Sequence, residues 1–333
     1  MKEYRVAILG ATGAVGREMI SILEEYEFPV KELIPLASAR SAGKTLTFRG
    51  EEVKVKEARD DAFEGVDVVL GAAENPVAKA FAPAIVGAGA VFIDNSSAFR
   101  LLPEVPLVVP EINGGDVKNH KGIISNPNCS TIITLMAVAP IAKISPIVKM
   151  TASTYQAVSG AGVGGIKDLE EQVCAFVNGG SAEPHTFAHP IAFNLIPAIG
   201  GAGENGYTSE EMKLQNEGRK ILHLPEMKVS CTCVRVPVFR SHSISASVVT
   251  KERVELNDAR RAIESFPGVR LLDDPASDLY PMPLHSTGGD TVYVGRIRRD
   301  LAEENGISLF CCGDQLRKGA AANAVQIAKL LIK

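Results

Sequence analysis

Val6-Ala7-Ile8-Leu9-Gly10-Ala11-Thr12-Gly13-Ala14-Val15-Gly16 is the stretch that decides the fold of this chain. Its first four residues make a short strand that is apolar on both faces, as a parallel sheet covered on both sides requires. A helical period follows, with Val15, Met19, Ile22 and Leu23 on one face and Arg17, Glu18, Ser21, Glu24 and Glu25 on the other. Strand, glycine turn and helix form the setting in which a dinucleotide pyrophosphate meets backbone N–H groups at a helix N-terminus. The spacing is G-x-x-G-x-x-G rather than G-x-G-x-x-G, yet the glycines do the same work of tight turning and close approach. A turn that is merely tight is the alternative.

The second strand, Leu33-Ile34-Pro35-Leu36-Ala37, ends in Ser38-Ala39-Arg40-Ser41-Ala42-Gly43-Lys44. An NAD site usually places an acid here to hold the ribose 2′-hydroxyl. No acid occurs from Pro35 through Gly50, and hydroxyls, Arg40 and Lys44 stand there instead, a set suited to a 2′-phosphate. NADP is therefore the preferred cofactor, with a solvated basic loop as the alternative. Further alternation (Val66 to Leu70, a helix from about Pro76, Ala90 to Asp94, then Leu107-Val108-Val109) predicts a Rossmann-type, doubly wound α/β sheet. Arg100 follows the strand ending at Asp94, where such sheets bind ligands, and is either an anion contact or a surface charge.

From about Ile144 the pattern changes to longer, β-branched, alternating segments: Ile147 to Val158, Lys228 to Val236, Ser243 to Thr250, Thr291 to Ile297 and Ile307 to Cys312. Asn305-Gly306 reads as a turn between the last two. Helices are expected near Ile166–Asn178, Ser209–Leu222 and Asp258–Phe266. The economical reading is an α+β domain with a mostly antiparallel sheet and helices on one face. Residues 1–128 then form the cofactor domain and 129–313 the second domain. A helix over 314–333, with Leu316, Ala320, Ala324, Ile327 and Leu331 on one stripe, is free to complete the first.

The totals agree with two domains, since 333 residues exceed one ordinary hydrophobic core. A net charge of −4 leaves no basic footprint for nucleic acid or an acidic membrane, and the absence of Trp argues against base-stacking platforms. The N-terminus shows no signal-peptide pattern, and no apolar run approaches a membrane span. Six cysteines without a C-x-x-C pair exclude a metal or disulfide framework and fit a reducing cytoplasm.

One of those cysteines stands apart. In Ser125-Asn126-Pro127-Asn128-Cys129-Ser130-Thr131 it follows a strand-like segment and precedes an apolar run, Ile132 to Ala139, that Pro140 is expected to end. Cys129 thus sits at the N-terminus of a buried helix, where the dipole favours a thiolate. The bland reading is a small buried residue after a turn.

Two polar groups fall on apolar strand faces. Arg235 shares a face with Val229, Cys231 and Cys233, so its guanidinium needs an anion, from the protein or from a ligand carboxylate. His242 shares a face with Ile244, Ala246 and Val248, and is either a satisfied core histidine or a general acid/base. Thr208 and Glu211 form a capping box, while Glu210 and Lys213 share a helix face and default to a surface ion pair.

Taken together, GATGAVG, SNPNCST, Gln156 in TYQAVSGAG, Glu210 and Lys213 in TSEEMK, and RVPVFRSH resemble the aspartate-β-semialdehyde dehydrogenase family, in order and over essentially the whole chain. The resemblance implies that Cys129 is the acyl-accepting nucleophile, His242 the general acid/base, and Gln156 the residue that orients a thioester. It implies that Arg235 binds the substrate α-carboxylate and Glu210 its ammonium, and that Arg100 and Lys213 hold phosphate with Asn128 assisting. Gly10, Ala11, Thr12, Gly13, Ala14, Val15 and Gly16 would cradle the cofactor pyrophosphate. Ser38, Arg40 and Ser41 would meet the 2′-phosphate, and Ser159, Gly160, Gly162 and Asn323 would contact the remainder of NADP. The implied reaction is NADPH-dependent, reversible reductive dephosphorylation of L-aspartyl-4-phosphate in lysine/diaminopimelate, threonine and methionine biosynthesis, by a homodimer. The rivals are N-acetylglutamyl-phosphate reductase, glyceraldehyde-3-phosphate dehydrogenase and a non-catalytic NADP-binding redox sensor.

Overall fold

The computed structural model describes residues 2–332, which divide into two compact units, Met1–Asn128 with Ala320–Lys333 and Cys129–Gly319. The first unit is built on β1 (Tyr4–Leu9), β2 (Val30–Ala37), β3 (Thr45–Phe48), β4 (Glu51–Lys54), β5 (Lys56–Glu57), β6 (Val68–Gly71), β7 (Val91–Asp94) and β8 (Ile123–Ser125). Six of these make a sheet in the order β5-β2-β1-β6-β7-β8, with every pair parallel. The strand order reverses beside β1, which places a crevice at its C-terminal end.

Helix α1 (Ala14–Glu25) and the C-terminal helix Ala322–Leu331 cover one face of this sheet, where Val6, Ile8, Met19, Leu23, Val325 and Ile327 share a core. Helix α2 (Asn75–Gly87) covers the other, packing with Ala7, Leu9, Leu36, Ile85 and Phe92. Adjacent residues of β1 thus feed opposite cores, which is why the strand is apolar throughout.

Leu107-Val108-Val109 is not a strand. It makes one parallel bridge, Leu107 with Ser125, and then enters the short helix α3 (Pro110–Asn113). Side chains take the groups that a ladder would need: Asn113 accepts the Val109 N–H and donates to the Leu107 carbonyl, and Asn323 donates to the Val108 carbonyl.

The second unit opens with α4 (Cys129–Ile144), followed by β9 (Ile147–Gln156), α5 (Gly162–Val177), α6 (Ser209–Ile221), β10 (Lys228–Arg235) and β11 (His242–Thr250). Then come α7 (Leu256–Glu264), β12 (Val269–Leu271), the one-turn helix α8 (Pro283–Ser286), β13 (Val292–Arg299) and β14 (Gly306–Gly313). Its sheet runs β10-β9-β11-β14-β13-β12; the three central pairs are antiparallel and the two outer ones parallel.

Two expectations need correction here. Pro140 does not end its helix: α4 continues to Ile144, with every residue from Ser130 to Ile141 buried. Proline costs one backbone hydrogen bond, which burial on all sides of this helix outweighs. The turn expected at Asn305-Gly306 is present: it ends the connection over residues 300–305 between the antiparallel β13 and β14, with the Gly306 N–H donating to the Glu303 carbonyl and the Asp300 N–H to the Gly306 carbonyl. The strand from Ile147 stops at Gln156, and Val158–Ala161 is a 3₁₀ turn.

Candidate active site

Backbone pairing assembles the second unit's polar centre. Strand β9 lies between β10 and β11, so Gln156 pairs with Arg235 on one side while Tyr155 pairs with Ser243 on the other. Gln156, Arg235 and His242 are thereby brought to the same end of the sheet, at the ends of their strands. Cys129, the first residue of α4, supplies the sulfur: His242 Nε2 lies 3.4 Å from Cys129 Sγ. The other ring nitrogen, Nδ1, accepts the backbone N–H of Ala157 at 3.1 Å.

His242 is fully buried, and burial together with the Arg235 charge lowers its pKa to about 3, against a smaller opposing pull from Glu210. Arg235 is 6% exposed, and its Nη1 donates to the Ala157 carbonyl at 2.7 Å. Burial lowers its pKa, while attraction to Cys129 and Glu210 works the other way. The guanidinium lies over the Phe187 ring at 5.7 Å.

Glu210 and Lys213 do pair, with Lys213 Nζ donating to Glu210 Oε2 at 2.9 Å, but this is not an ordinary surface bridge. The Glu210 side chain is 9% exposed and also accepts from Gln156 Nε2 at 3.2 Å and Ser130 Oγ at 3.5 Å. A carboxylate held by three donors, one of them next to Cys129 at the start of α4, belongs to the same polar centre. Glu211 completes the capping box with Thr208 and also accepts the Cys233 N–H, tying α6 to β10.

Several residues of this centre had no signal in the sequence. The main chain of Ala157 serves both side chains, its N–H donating to His242 and its carbonyl accepting from Arg235, and main-chain contacts leave no mark on residue identity. Asp168 is buried on α5, and its carboxylate gathers the N–H groups of His185, Thr186 and Phe187. Gln172, one turn further along, accepts from Ile191 and Ala192. The two side chains strap a long loop onto α5 and so place Phe187 against Arg235. An acid four residues before a glutamine on one helix face was the only available hint.

Gly160 and Gly162 occupy the turn between β9 and α5; a Cβ on Gly160 would come 2.7 Å from Arg235 Nη1 and 3.3 Å from His242 Nε2. Ser159 is buried, and its hydroxyl accepts from Gln315.

The first unit carries the other predicted residues. A cavity of about 430 Å³ opens at the ends of β1, β2 and β6, lined by Gly10, Thr12, Gly13, Ser38, Ala72 and Glu57 among others. Gly10 has a φ of +91°, and a Cβ there would lie 2.6 Å from the Ala72 carbonyl oxygen. A Cβ on Gly16 would lie 2.4 Å from the Gly10 carbonyl oxygen. Gly13 differs, with φ of −75° and no contact to a Cβ closer than 3.4 Å. The fold therefore demands Gly10 and Gly16, whereas Gly13, at the mouth of an N-terminus that no side chain caps, leaves room for a ligand. Ala11 is buried, and Ala14 and Val15 are half-buried in the first turns around it.

Ser38 and Arg40 are exposed beside this cavity, and Ser41 is buried with Lys44 Nζ 3.5 Å from its hydroxyl. The structure adds Glu57, brought alongside Ala37 by β5; two Arg59 nitrogens hold its carboxylate. Arg100 is buried and donates to the Asn95 carbonyl at 2.7 Å. Asn128 is buried in the same unit. Asn323 is fully buried and gives its amide protons to the Val108 carbonyl and to Asn126 Oδ1, a tie between the C-terminal helix and the sheet's last strand region.

Among the described residues no group of three or more His, Cys, Asp or Glu side chains could hold a metal, and no helix is long and apolar enough to cross a membrane. Three buried thiols of the second unit are held as thiols: burial pushes Cys312 up to about 12 and raises Cys311, and Cys231, beside Cys233 at 3.8 Å, is raised by that contact and by burial.

The chain is similar to known proteins over nearly its whole length. Residues 5–120 match the family model described as semialdehyde dehydrogenase, NAD binding domain, and residues 138–318 match the semialdehyde dehydrogenase, dimerisation domain. The aspartate-semialdehyde dehydrogenase of Aquifex aeolicus is 50% identical, with 99% of this chain and 98% of the relative covered. Among solved structures, aspartate semialdehyde dehydrogenase II of Vibrio cholerae, also solved complexed with ASA, superposes with a TM-score of 0.96 at 43% identity, covering 99% of this chain and 98% of that one. The Candida albicans aspartate semialdehyde dehydrogenase with NADP superposes with a TM-score of 0.75 at 26% identity, covering 99% and 98%.

Proposed function

This chain belongs to the aspartate-semialdehyde dehydrogenase family, and on that premise we propose that it interconverts L-aspartyl-4-phosphate and L-aspartate 4-semialdehyde through a thioester on Cys129, using NADPH. The observation that carries the reading is the nucleophile at the N-terminus of a buried helix, 3.4 Å from an imidazole nitrogen and within the field of a buried arginine. In the biosynthetic direction the Cys129 thiolate attacks the acyl carbon, and the C–O bond to phosphate breaks. NADPH, when bound, supplies the hydride that the thioester carbon receives. The C–S bond then breaks, the aldehyde leaves, and the thiolate returns.

The remaining roles follow the charges. Arg235 takes the substrate α-carboxylate, and Glu210, a buried acid, takes the ammonium. Gln156, donating to Glu210, orients the acyl group beside them. Arg100, Lys213 and Asn128 serve the phosphate. Ser38, Arg40 and Ser41 favour a 2′-phosphate, supported by the exposed Arg40 and by the occupation of Glu57 by Arg59. Backbone N–H groups at Cys129 stabilise the developing oxyanion, the larger share of such catalysis.

The product would feed lysine/diaminopimelate, threonine and methionine biosynthesis. A homodimer is the proposed assembly, in keeping with the description of the second family model and with the exposed Phe176 and Phe193 of the second unit, whose tilted rings touch.

Phosphate-dependent reduction of NADP and NAD, followed with aspartate semialdehyde and N-acetylglutamate semialdehyde in parallel, tests the reading. Turnover of the first with NADP is expected. The second has no ammonium for Glu210, and turnover of it alone would overturn the assignment.

A further inference from the structure

We propose that Arg59 is a cofactor-selecting residue. It covers the carboxylate of Glu57, an acid that, if bare, would accept the ribose 2′-hydroxyl of NAD and repel the 2′-phosphate of NADP. This deepens the function proposed above and rests on its reading of the first unit's cavity as the dinucleotide site.

An enzyme that prefers NAD usually carries its acid at the end of the second strand. Here that strand ends at Ala37, and no acid follows before Glu51. The neighbouring strand supplies one from the side. Strand β5 runs parallel to β2 with Glu57 paired to Ala37, and the Ala58 N–H donates to the Ala37 carbonyl at 2.8 Å. One residue earlier, the Leu36 carbonyl accepts the N–H groups of Gly10 and Ala11 at 2.8 and 3.0 Å. The end of β2 thus ties the glycine turn to Glu57, and Gly10, Ser38 and Glu57 line one cavity of about 430 Å³. The second strand read alone misses this acid, because parallel pairing and not sequence distance brings it to the site.

Glu57 is half-buried in that wall, and Arg59 meets it twice: Nε and Nη2 donate to Oε2 at 3.0 and 2.7 Å. The ordinary explanation is a solvated ion pair, and with the Arg59 side chain 69% exposed the pair contributes little to stability. Its place gives it a second consequence. An ionised carboxylate accepts hydrogen bonds and donates none, so a bare Glu57 suits a hydroxyl and opposes a phosphate. Ser38, Arg40 and Lys44, on the segment after β2, supply donors and positive charge, part of which an uncovered acid would cancel. Asp61 also attracts Arg59, but Glu57 is the stronger partner. Selectivity of this kind is a difference between two affinities, set as much by what is repelled as by what is held.

Fluorescence titration with NADPH and with NADH reads both affinities without turnover, on the full-length wild type, Arg59→Ala, Glu57→Gln and the double variant. Arg59→Ala should weaken NADPH by about tenfold and tighten NADH by about threefold, as a bare charge replaces a covered one. Glu57→Gln keeps the size of the side chain and removes its charge. The double variant should therefore return NADPH to within about threefold of wild type and lose the gain for NADH. The NADPH deficit of Arg59→Ala should also shrink when salt is raised to ~0.5 M, because the Debye length falls.

An unchanged ratio of the two affinities in Arg59→Ala would overturn the proposal. So would a loss that Glu57→Gln fails to reverse, since Arg59 would then act by some route other than covering this acid. The parent reading is judged apart. A wild type that binds NADH more tightly than NADPH removes the NADP assignment, while the coupling between Arg59 and Glu57 is still read from the ratios among the variants.

Discussion

Replacing His242 by glutamine should flatten the acid side of the enzyme's stability curve. In the folded protein, burial and the Arg235 charge lower the His242 pKa to about 3, whereas an unfolded chain returns it to about 6.5. Between those two values the unfolded state binds a proton at this ring that the folded state refuses. The contribution of His242 to stability is therefore fully present above pH 6.5 and falls as the pH drops toward 3. The slope is ~1.4 kcal/mol for each pH unit, so at pH 5 the wild type should have lost about 2 kcal/mol through this residue alone. Urea unfolding followed by far-ultraviolet circular dichroism, at several values between pH 7.5 and 4.5, reads the difference directly. Other carboxylates titrate in the same window, among them Asp94, which burial raises, but they are shared by both proteins and cancel in the comparison. The glutamine variant should show the shallower acid decline, whatever its absolute stability at neutral pH. Parallel curves for the two proteins would show that His242 gains a proton in the folded state as readily as in water, and the argument from burial would fail.

Two further outcomes follow from the geometry. Gly13→Ala should leave the unfolding midpoint close to wild type, because its φ is ordinary and a Cβ has room, yet weaken NADPH binding at least tenfold by fluorescence titration; an unchanged Kd would remove the pyrophosphate from this turn. Asp168→Ala should lower stability by about 1–3 kcal/mol, since three loop N–H groups lose their shared acceptor, and should raise the KM for aspartate semialdehyde more than it lowers kcat as Phe187 leaves Arg235; unaltered urea unfolding would show that the strap carries no energy.

What a sequence can reveal depends on where the constraint is written. The glycine turn was legible because two of its glycines answer to sterics within a few residues: Gly16 meets the Gly10 carbonyl, and Gly10 the backbone just beyond β6. Helix α4 was legible because burial on every side demands an unbroken apolar run, but its end was not. Pro140 signals a stop in a solvated helix, and nothing local tells that this helix is enclosed by a sheet and two others. Leu107 to Val109 has the composition of a strand, yet Asn113 and Asn323 claim its backbone groups; one of these lies 215 residues away. The parallel outer pairs of the second sheet have no turn signature because their partners are joined by long crossovers.

The same division runs through the site. Arg235 and His242 could be singled out because a polar side chain on an apolar strand face requires a reason, and Cys129 because it opens an apolar helix; Gln156 and Glu210 rested on the family resemblance. Two bonds that hold the side chains of His242 and Arg235 come from the N–H and the carbonyl of Ala157, whose side chain says nothing. A sequence thus names the groups able to donate, accept or attack, but not the main-chain groups that orient them. Where β9 ends and the 3₁₀ turn begins sets those contacts, so substitutions that preserve every named side chain but shift that turn should disturb the site as well.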